Sequence, residues 1–80
     1  MKPIRFDRHA RRRMLQRAIT PLEVEAILRQ PERVEPSIKE RQNAFGPGRQ
    51  ETIRVTFRET AGEILVITAV RQRIGGGGQS

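Results

Sequence analysis

Apolar residues in this chain either alternate with polar ones or recur every three to four positions. Alternation predicts β-strands, and the longer period predicts amphipathic helices. Residues 2–6 alternate, with Ile4 and Phe6 on one side, and this predicts a short first strand.

A first helix is expected after this strand, with Asp7 as its N-cap and an end near Arg17. Ala10 and Met14 are four residues apart and form a narrow apolar stripe on this helix. A second stripe beside it is basic, and its members are His9, Arg13 and Arg17. The helix is therefore basic around most of its circumference and packs through a thin seam.

A second helix has a clear start. Thr20 is a suitable cap, Pro21 suits the first helical position, and Glu23 can return a hydrogen bond to the cap. Its core-facing residues are Val24, Ile27 and Leu28. Pro31 disfavours helical geometry before it, so this helix is expected to stop at Gln30.

Residues 31–48 give weaker signals. Two prolines surround an isolated Val34, which predicts either a loop or a short edge strand. A further strand is expected at 41–45, and the Gly-Pro-Gly sequence at 46–48 is typical of a turn.

Two clearer strands follow, joined by a hairpin turn at 59–62. The core-facing residues of the first, at 52–58, are Ile53, Val55 and Phe57. In the second, at 63–70, simple alternation places Ile64, Val66 and Val70 on one face and Leu65, Ile67 and Ala69 on the other. A strand that is apolar on both faces is typical of a sheet interior.

These elements predict one α+β domain at residues 1–73, followed by a flexible glycine-rich tail at 74–80. Two N-terminal helices are expected to pack on a three- to four-stranded antiparallel sheet, in the order β-α-α-β-β-β.

The net charge of +7 is concentrated near the N-terminus. Residues 1–20 carry seven bases and one acid, a net +6, whereas residues 21–80 carry nine bases and eight acids, a net +1. Fourteen of the sixteen bases are arginine, whose forked guanidinium suits phosphate and stacks on bases. This pattern favours RNA as the partner, although a solvated helix face would have the same composition.

The residue inventory excludes several chemistries. The chain has no cysteine and one histidine, so no metal site and no cofactor are expected. No stretch is apolar for long enough to span a membrane, and a cytoplasmic location is expected. The only aromatic residues are three phenylalanines, so an aromatic platform for stacking bases is not expected.

One catalytic hypothesis survives this inventory, namely metal-independent RNA cleavage. The RNA 2′-hydroxyl is an internal nucleophile, and the protein need supply only a base, an acid and cations. The candidate catalytic residues are His9, Arg13 and Arg17. The candidate nucleic-acid-binding residues are Arg8, Arg12, Arg13, Arg41, Arg54 and Arg58. A histidine beside a cap residue is, however, also common as a purely local structural contact.

The first-helix motif resembles the opening motif of a family of small domains catalogued as domain of unknown function 4258. The matching residues, in order, are His9, Ala10, Arg13, Met14, Arg17, Ile19 and Thr20. Weaker matches are Pro31, the segment 41–46, Arg54-Val55, Thr68 and Val70, so the resemblance covers about residues 4–70. Ala18 stands where the family usually has glycine, and Phe45 stands where tyrosine is common.

This family is similar in layout to RelE/ParE-type toxins and their BrnT-like relatives, which have a helical pair followed by an antiparallel sheet. The resemblance implies a toxin-like ribonuclease or ribosome-binding module, in which basic residues around the sheet act on RNA. Outward-facing Arg54, Arg58 and Arg71 would be such residues here.

Three functions therefore stay open. The chain is an RNA-directed toxin, or a non-catalytic nucleic-acid-binding module, or a protein-interaction domain. In the third case the basic helix docks an acidic partner, such as an antitoxin segment, with help from an exposed Leu15.

Overall fold

The computed structural model describes residues 2–48 and 51–72 of the chain. The elements in order are β1 (Ile4–Phe6), α1 (Arg8–Gln16), α2 (Pro21–Arg29), β2 (Arg33–Pro36), β3 (Gln42–Pro47), β4 (Thr52–Glu59) and β5 (Ile64–Gln72). The predicted α+β class, with two helices packed on a sheet, is confirmed. The predicted glycine-rich tail lies outside the described residues.

The five strands form one mixed sheet in the order β1-β5-β4-β3-β2. The sheet has at least one strand more than the three to four antiparallel strands that were predicted, because both short edge strands, β1 and β2, form. The prediction also missed that β1 runs parallel to β5. Two helices and three strands separate β1 from β5, and so long a connection can bring the chain back in the same direction.

Both helix starts are confirmed. The Asp7 carboxylate accepts a hydrogen bond from the His9 backbone N–H at 3.0 Å and caps α1. At α2, Thr20 and Glu23 form the predicted capping box, and Pro21 occupies the first turn. Each helix has nine residues, and no helix in the described part of the chain has the length and apolarity to cross a membrane.

The core lies between the two helices and one face of the sheet. Ala10 and Met14 of α1 are buried, as predicted, and so are Val24 and Ile27 of α2. The predicted inward residues of β4, Ile53, Val55 and Phe57, belong to the same cluster. We call the opposite surface of the sheet the open face.

A β-bulge changes the predicted faces of β5. Thr56 of β4 pairs with Thr68, whereas its neighbour Phe57 pairs with Val66, so Ile67 is an extra residue in β5. The alternation therefore shifts by one position beyond the bulge. Ala69 is fully buried in the core, and Val70, which simple alternation placed there, is only half-buried. The prediction that β5 lies inside the sheet is confirmed, because β1 and β4 flank it.

The strand β3 also differs from expectation, since it continues through Gly46 and Pro47, where a turn was predicted. The partner strand β2 begins opposite Phe45 and runs away from Pro47, so Pro47 pairs with β4 alone. The missing N–H of Pro47 therefore leaves no gap in the ladder on the outer side. At Gly46 a Cβ would lie 2.5 Å from Cγ1 of Ile27. Glycine is needed there because α2 packs directly on β3.

Candidate nucleic-acid interface

The basic helix α1 is held along the outer edge of β5. β1 covers that edge only at residues 64–66, and the Asp7 N–H then donates to the Val66 carbonyl at 3.0 Å. Further along the edge, the Arg17 guanidinium donates to the Ala69 carbonyl at 3.3 Å. Anchored in this way, α1 presents its remaining circumference to solvent.

A second arginine fixes the C-terminal end of α1. The Arg71 guanidinium donates from Nε to the Arg17 carbonyl at 2.9 Å and from Nη2 to the Ala18 carbonyl at 2.6 Å. Its Nη1 also donates to Glu51 at 2.8 Å. Arg17, predicted to share a catalytic stripe, is therefore part of this joint, with its side chain on the backbone of β5.

The N-terminal end of α1 pairs a carboxylate with the single histidine. Oδ2 of Asp7, besides capping the helix, lies 3.2 Å from Nδ1 of His9. In the tautomer that carries its proton on Nδ1, this contact is a hydrogen bond that leaves the lone pair of Nε2 free. The His9 side chain is 77% exposed, so its imidazole ring is open to solvent. The hydrogen bond from the His9 backbone lowers the pKa of the Asp7 carboxyl, which favours its ionised form.

A groove of 410 Å³ lies beside this pair. We call it the basic groove, and it is lined by Asp7, His9, Arg13, Arg41, Ile67 and Thr68. Three predicted site residues thus line one groove: His9 and Arg13, which belong to α1, and Arg41, which immediately precedes β3. β5 contributes its bulge residue Ile67 and the following Thr68 to the groove lining. The buried hydroxyl oxygen of Thr68 has no hydrogen-bond partner among the described residues.

Most of the positive charge on α1 is uncompensated, and Asp7 is the one carboxylate among the described residues that line the groove. Four arginines on α1 form no ion pair with any described residue: Arg8, Arg11, Arg12 and Arg13. Ion pairs of acids with lysine or arginine that join two described residues lie outside α1: Lys2–Glu59, Arg5–Glu63, Arg29–Glu25, Arg33–Glu35 and Arg71–Glu51. Such an unpaired cluster produces a focused positive potential.

The other predicted binding residues are spread around the groove. Arg8 and Arg12 lie on the solvent side of α1, and both are exposed. Arg54 and Arg58 lie on the open face, where Thr68 also faces, and they do not line the basic groove. Nε of Arg54 is buried without a hydrogen-bond partner among the described residues.

Phe45 does not provide a stacking surface on the open face. Only 5% of it is exposed, and the Arg33 guanidinium lies 4.0 Å from the centre of its ring. This contact is a cation–π interaction, and it covers the ring. Recognition by aromatic stacking is therefore not available at Phe45 as the structure stands.

Two parts of the site escaped sequence reasoning. Asp7 was interpreted only as a cap, although a carboxylate two residues before a histidine at a helix start is a signal that the two can pair. Ile67 and Thr68 could not be assigned to the groove, because no feature of the sequence marks the bulge that places them there.

Among the described residues, no three histidine, cysteine, aspartate or glutamate side chains are grouped so that they could hold a metal ion. The fold and site together define a small α+β domain with a helix pair on one face of a mixed sheet and a basic groove at the sheet edge. Comparisons with protein-family models, curated proteins and solved structures find no match.

Proposed function

We propose that this chain binds single-stranded RNA, with a phosphate in the basic groove and neighbouring phosphates along α1. The observation that carries the proposal is the meeting of His9, Arg13 and Arg41 in one groove beside unpaired arginines. Phosphate contacts from arginine supply most of the affinity of such interfaces. The resemblance to RelE-type toxins favours RNA over DNA, either free or on the ribosome.

The make-up of α1 supports this proposal independently. Apart from the Asp7 cap that precedes it, the first turn of α1 contains no acidic residue, although further carboxylates there would stabilise the helix through its dipole. Arg8 and Arg11 occupy that region instead. A helix that carries positive charge where negative charge would stabilise it is consistent with selection for an anionic partner.

Binding is tested by fluorescence anisotropy with a labelled single-stranded RNA at several salt concentrations. Three to five phosphate contacts, at about 0.7 each, predict a log–log salt slope of roughly −2 to −3.5. Arg13→Ala and Arg41→Ala should each weaken binding about tenfold and flatten the slope by about 0.7. Unlabelled DNA of the same sequence, as competitor, reports the preference for RNA.

Arg29→Ala is the matched control, because Arg29 is exposed on α2 and pairs with Glu25 at 4.0 Å, away from the groove. Its affinity should equal that of the unaltered chain. Equal losses in the Arg13 and Arg29 variants would mean that only net charge matters, and a flat salt response would rule out phosphate binding.

Metal-independent RNA cleavage is a second candidate, favoured by the Asp7–His9 pair. Asp7 would hold the imidazole with Nε2 toward the groove, where it takes the proton of a 2′-hydroxyl. The 2′-oxygen attacks the adjacent phosphorus, the 5′-oxygen leaves with a proton from solvent, and Arg13 and Arg41 stabilise the negative charge. Among the described residues that line the groove, no second general acid or base stands beside the Asp7–His9 pair, so slow cleavage is expected.

The test is incubation with RNA in the presence of a chelator, beside His9→Gln and an RNA with one 2′-deoxy position. Cleavage that stops at the deoxy position, and that His9→Gln loses while keeping its RNA affinity, would support catalysis. Cleavage unchanged in His9→Gln would exclude His9 as the base, and intact RNA throughout would leave a binding module.

A further inference from the structure

The two flanks of α1 are chemically different. One flank carries His9 and Arg13 toward the basic groove. The other carries Arg11 and Leu15, four residues apart and so on one helix face, toward α2. Leu15 is 83% exposed, and it matters here because it borders a wider apolar surface.

A second groove, of 310 Å³, lies on this second flank. We call it the apolar groove, and it is lined by Phe6, Arg11, Met14, Leu15, Ile19 and Pro21. Met14 and Ile19 are buried core residues, so the bottom of the apolar groove is formed by the hydrophobic core. Leu22, next to Pro21 in the sequence, is 77% exposed and extends the apolar surface on α2.

We propose that the apolar groove docks an acidic, amphipathic segment of a partner protein. Apolar side chains of that segment would pack in the groove between Leu15 and Pro21. Its carboxylates would pair with Arg11 in the groove lining, and with Arg8 and Arg12 on the solvent side of α1. These arginines have no ion pair with any described residue, so a carboxylate partner would displace no internal one. Peptide helices commonly bind in this way, with apolar anchors in a groove and charged residues at its rim.

Other occupants fit less well. A second copy of this chain would bring its own basic α1 against this one, and like charges at an interface disfavour association. A small molecule needs a few well-placed polar groups to orient it, and Arg11 is the only charged residue among the described residues of this lining.

The test is selection from a phage-displayed random peptide library against the whole chain. Enriched peptides should combine leucine or aromatic residues with aspartate or glutamate. A labelled enriched peptide should bind the unaltered chain, and Leu15→Ala should weaken it about tenfold. Gln16→Ala is the matched control, because Gln16 is exposed one residue further along α1 and does not line the groove, so its affinity should be unchanged.

The two grooves separate this proposal from RNA binding. Leu15→Ala should leave RNA affinity unchanged, and Arg13→Ala should leave peptide affinity unchanged. Peptides without acidic residues, peptides that bind Leu15→Ala as well as the unaltered chain, or no enrichment at all would each overturn the proposal. So would a dimer that Leu15→Ala dissociates, or binding to anionic vesicles that depends on Leu15 when no peptide binds.

Discussion

At the residue scale, Ala18 adopts a backbone conformation that alanine rarely takes. Its φ is 55°, in the left-handed region, and its carbonyl accepts a hydrogen bond from Arg71. Left-handed geometry costs a residue with a Cβ about 1–2 kcal/mol, a cost that glycine avoids. A glycine at position 18 would adopt this backbone without that cost.

Ala18→Gly should therefore stabilise the fold by about 1 kcal/mol, as measured by urea unfolding. Ala26→Gly is the matched control, because Ala26 is exposed inside α2, where glycine costs about 1 kcal/mol. Two changes of the same chemistry should thus have opposite signs. Destabilisation by both would show that the joint between the helices does not need a left-handed residue.

At the element scale, the close packing of α2 on β3 depends on Gly46. A methyl group at this position would meet the Ile27 side chain, so Gly46→Ala should destabilise the fold by about 1–3 kcal/mol. Gly62→Ala, at the β4–β5 turn, is the control, since nothing lies within 4 Å of a Cβ there. The free energy of unfolding of this variant, measured by urea, should differ from that of the unaltered chain by less than about 0.5 kcal/mol. Equal effects would mean that α2 can move away from β3.

Local sequence patterns predicted most helices and strands, but they did not predict how distant strands pair. The caps at Asp7 and Thr20 fixed both helix starts because a cap acts within three residues. The parallel partner of β1 and the bulge at Ile67 depend on contacts between strands, which a three-residue strand or an apolar run does not encode. The same limit applies to the basic groove, where Arg41 could be listed as basic but not placed beside His9.

At the scale of the whole molecule, four arginines without an ion pair to any described residue lie together on α1. The first helical residue, Arg8, opposes the helix dipole, so Arg8→Glu should stabilise the fold by about 1 kcal/mol while weakening RNA binding. Arg12→Glu makes the same change of charge further from the helix start. It should weaken RNA binding without the gain in stability, and urea unfolding with anisotropy would check both. A gain from both variants would point to general charge repulsion instead.

Acid should destabilise the whole fold through two carboxylates. The backbone N–H of His9 lowers the pKa of Asp7, and the hydrogen bonds from Arg5 lower the pKa of Glu63, from ordinary values of 3.8 and 4.5. A depressed carboxyl pKa stabilises the fold above its unfolded value, and this contribution is lost as pH falls through the folded value. The free energy of unfolding should therefore fall as pH drops below about 4.5.

Asp7→Asn separates capping from titration. Asparagine caps helices about as well as aspartate, so stability near neutral pH should be retained, and the loss on acidification should be smaller than in the unaltered chain. Urea unfolding at about pH 7 and about pH 3 provides the comparison. An unchanged acid loss would exclude Asp7 as a source of the pH dependence.

The parallel pairing of β1 with β5 also has a consequence for a chain that is still being synthesised. β1 and α1 leave the ribosome before β5, but the Val66 and Ala69 carbonyls and the Arg71 guanidinium that hold α1 in place belong to β5. A nascent chain without β5 carries the arginine-rich helix and lacks the wall that Ile67 and Thr68 supply. A chain truncated before β5 would therefore carry the arginines of α1 but lack the basic groove.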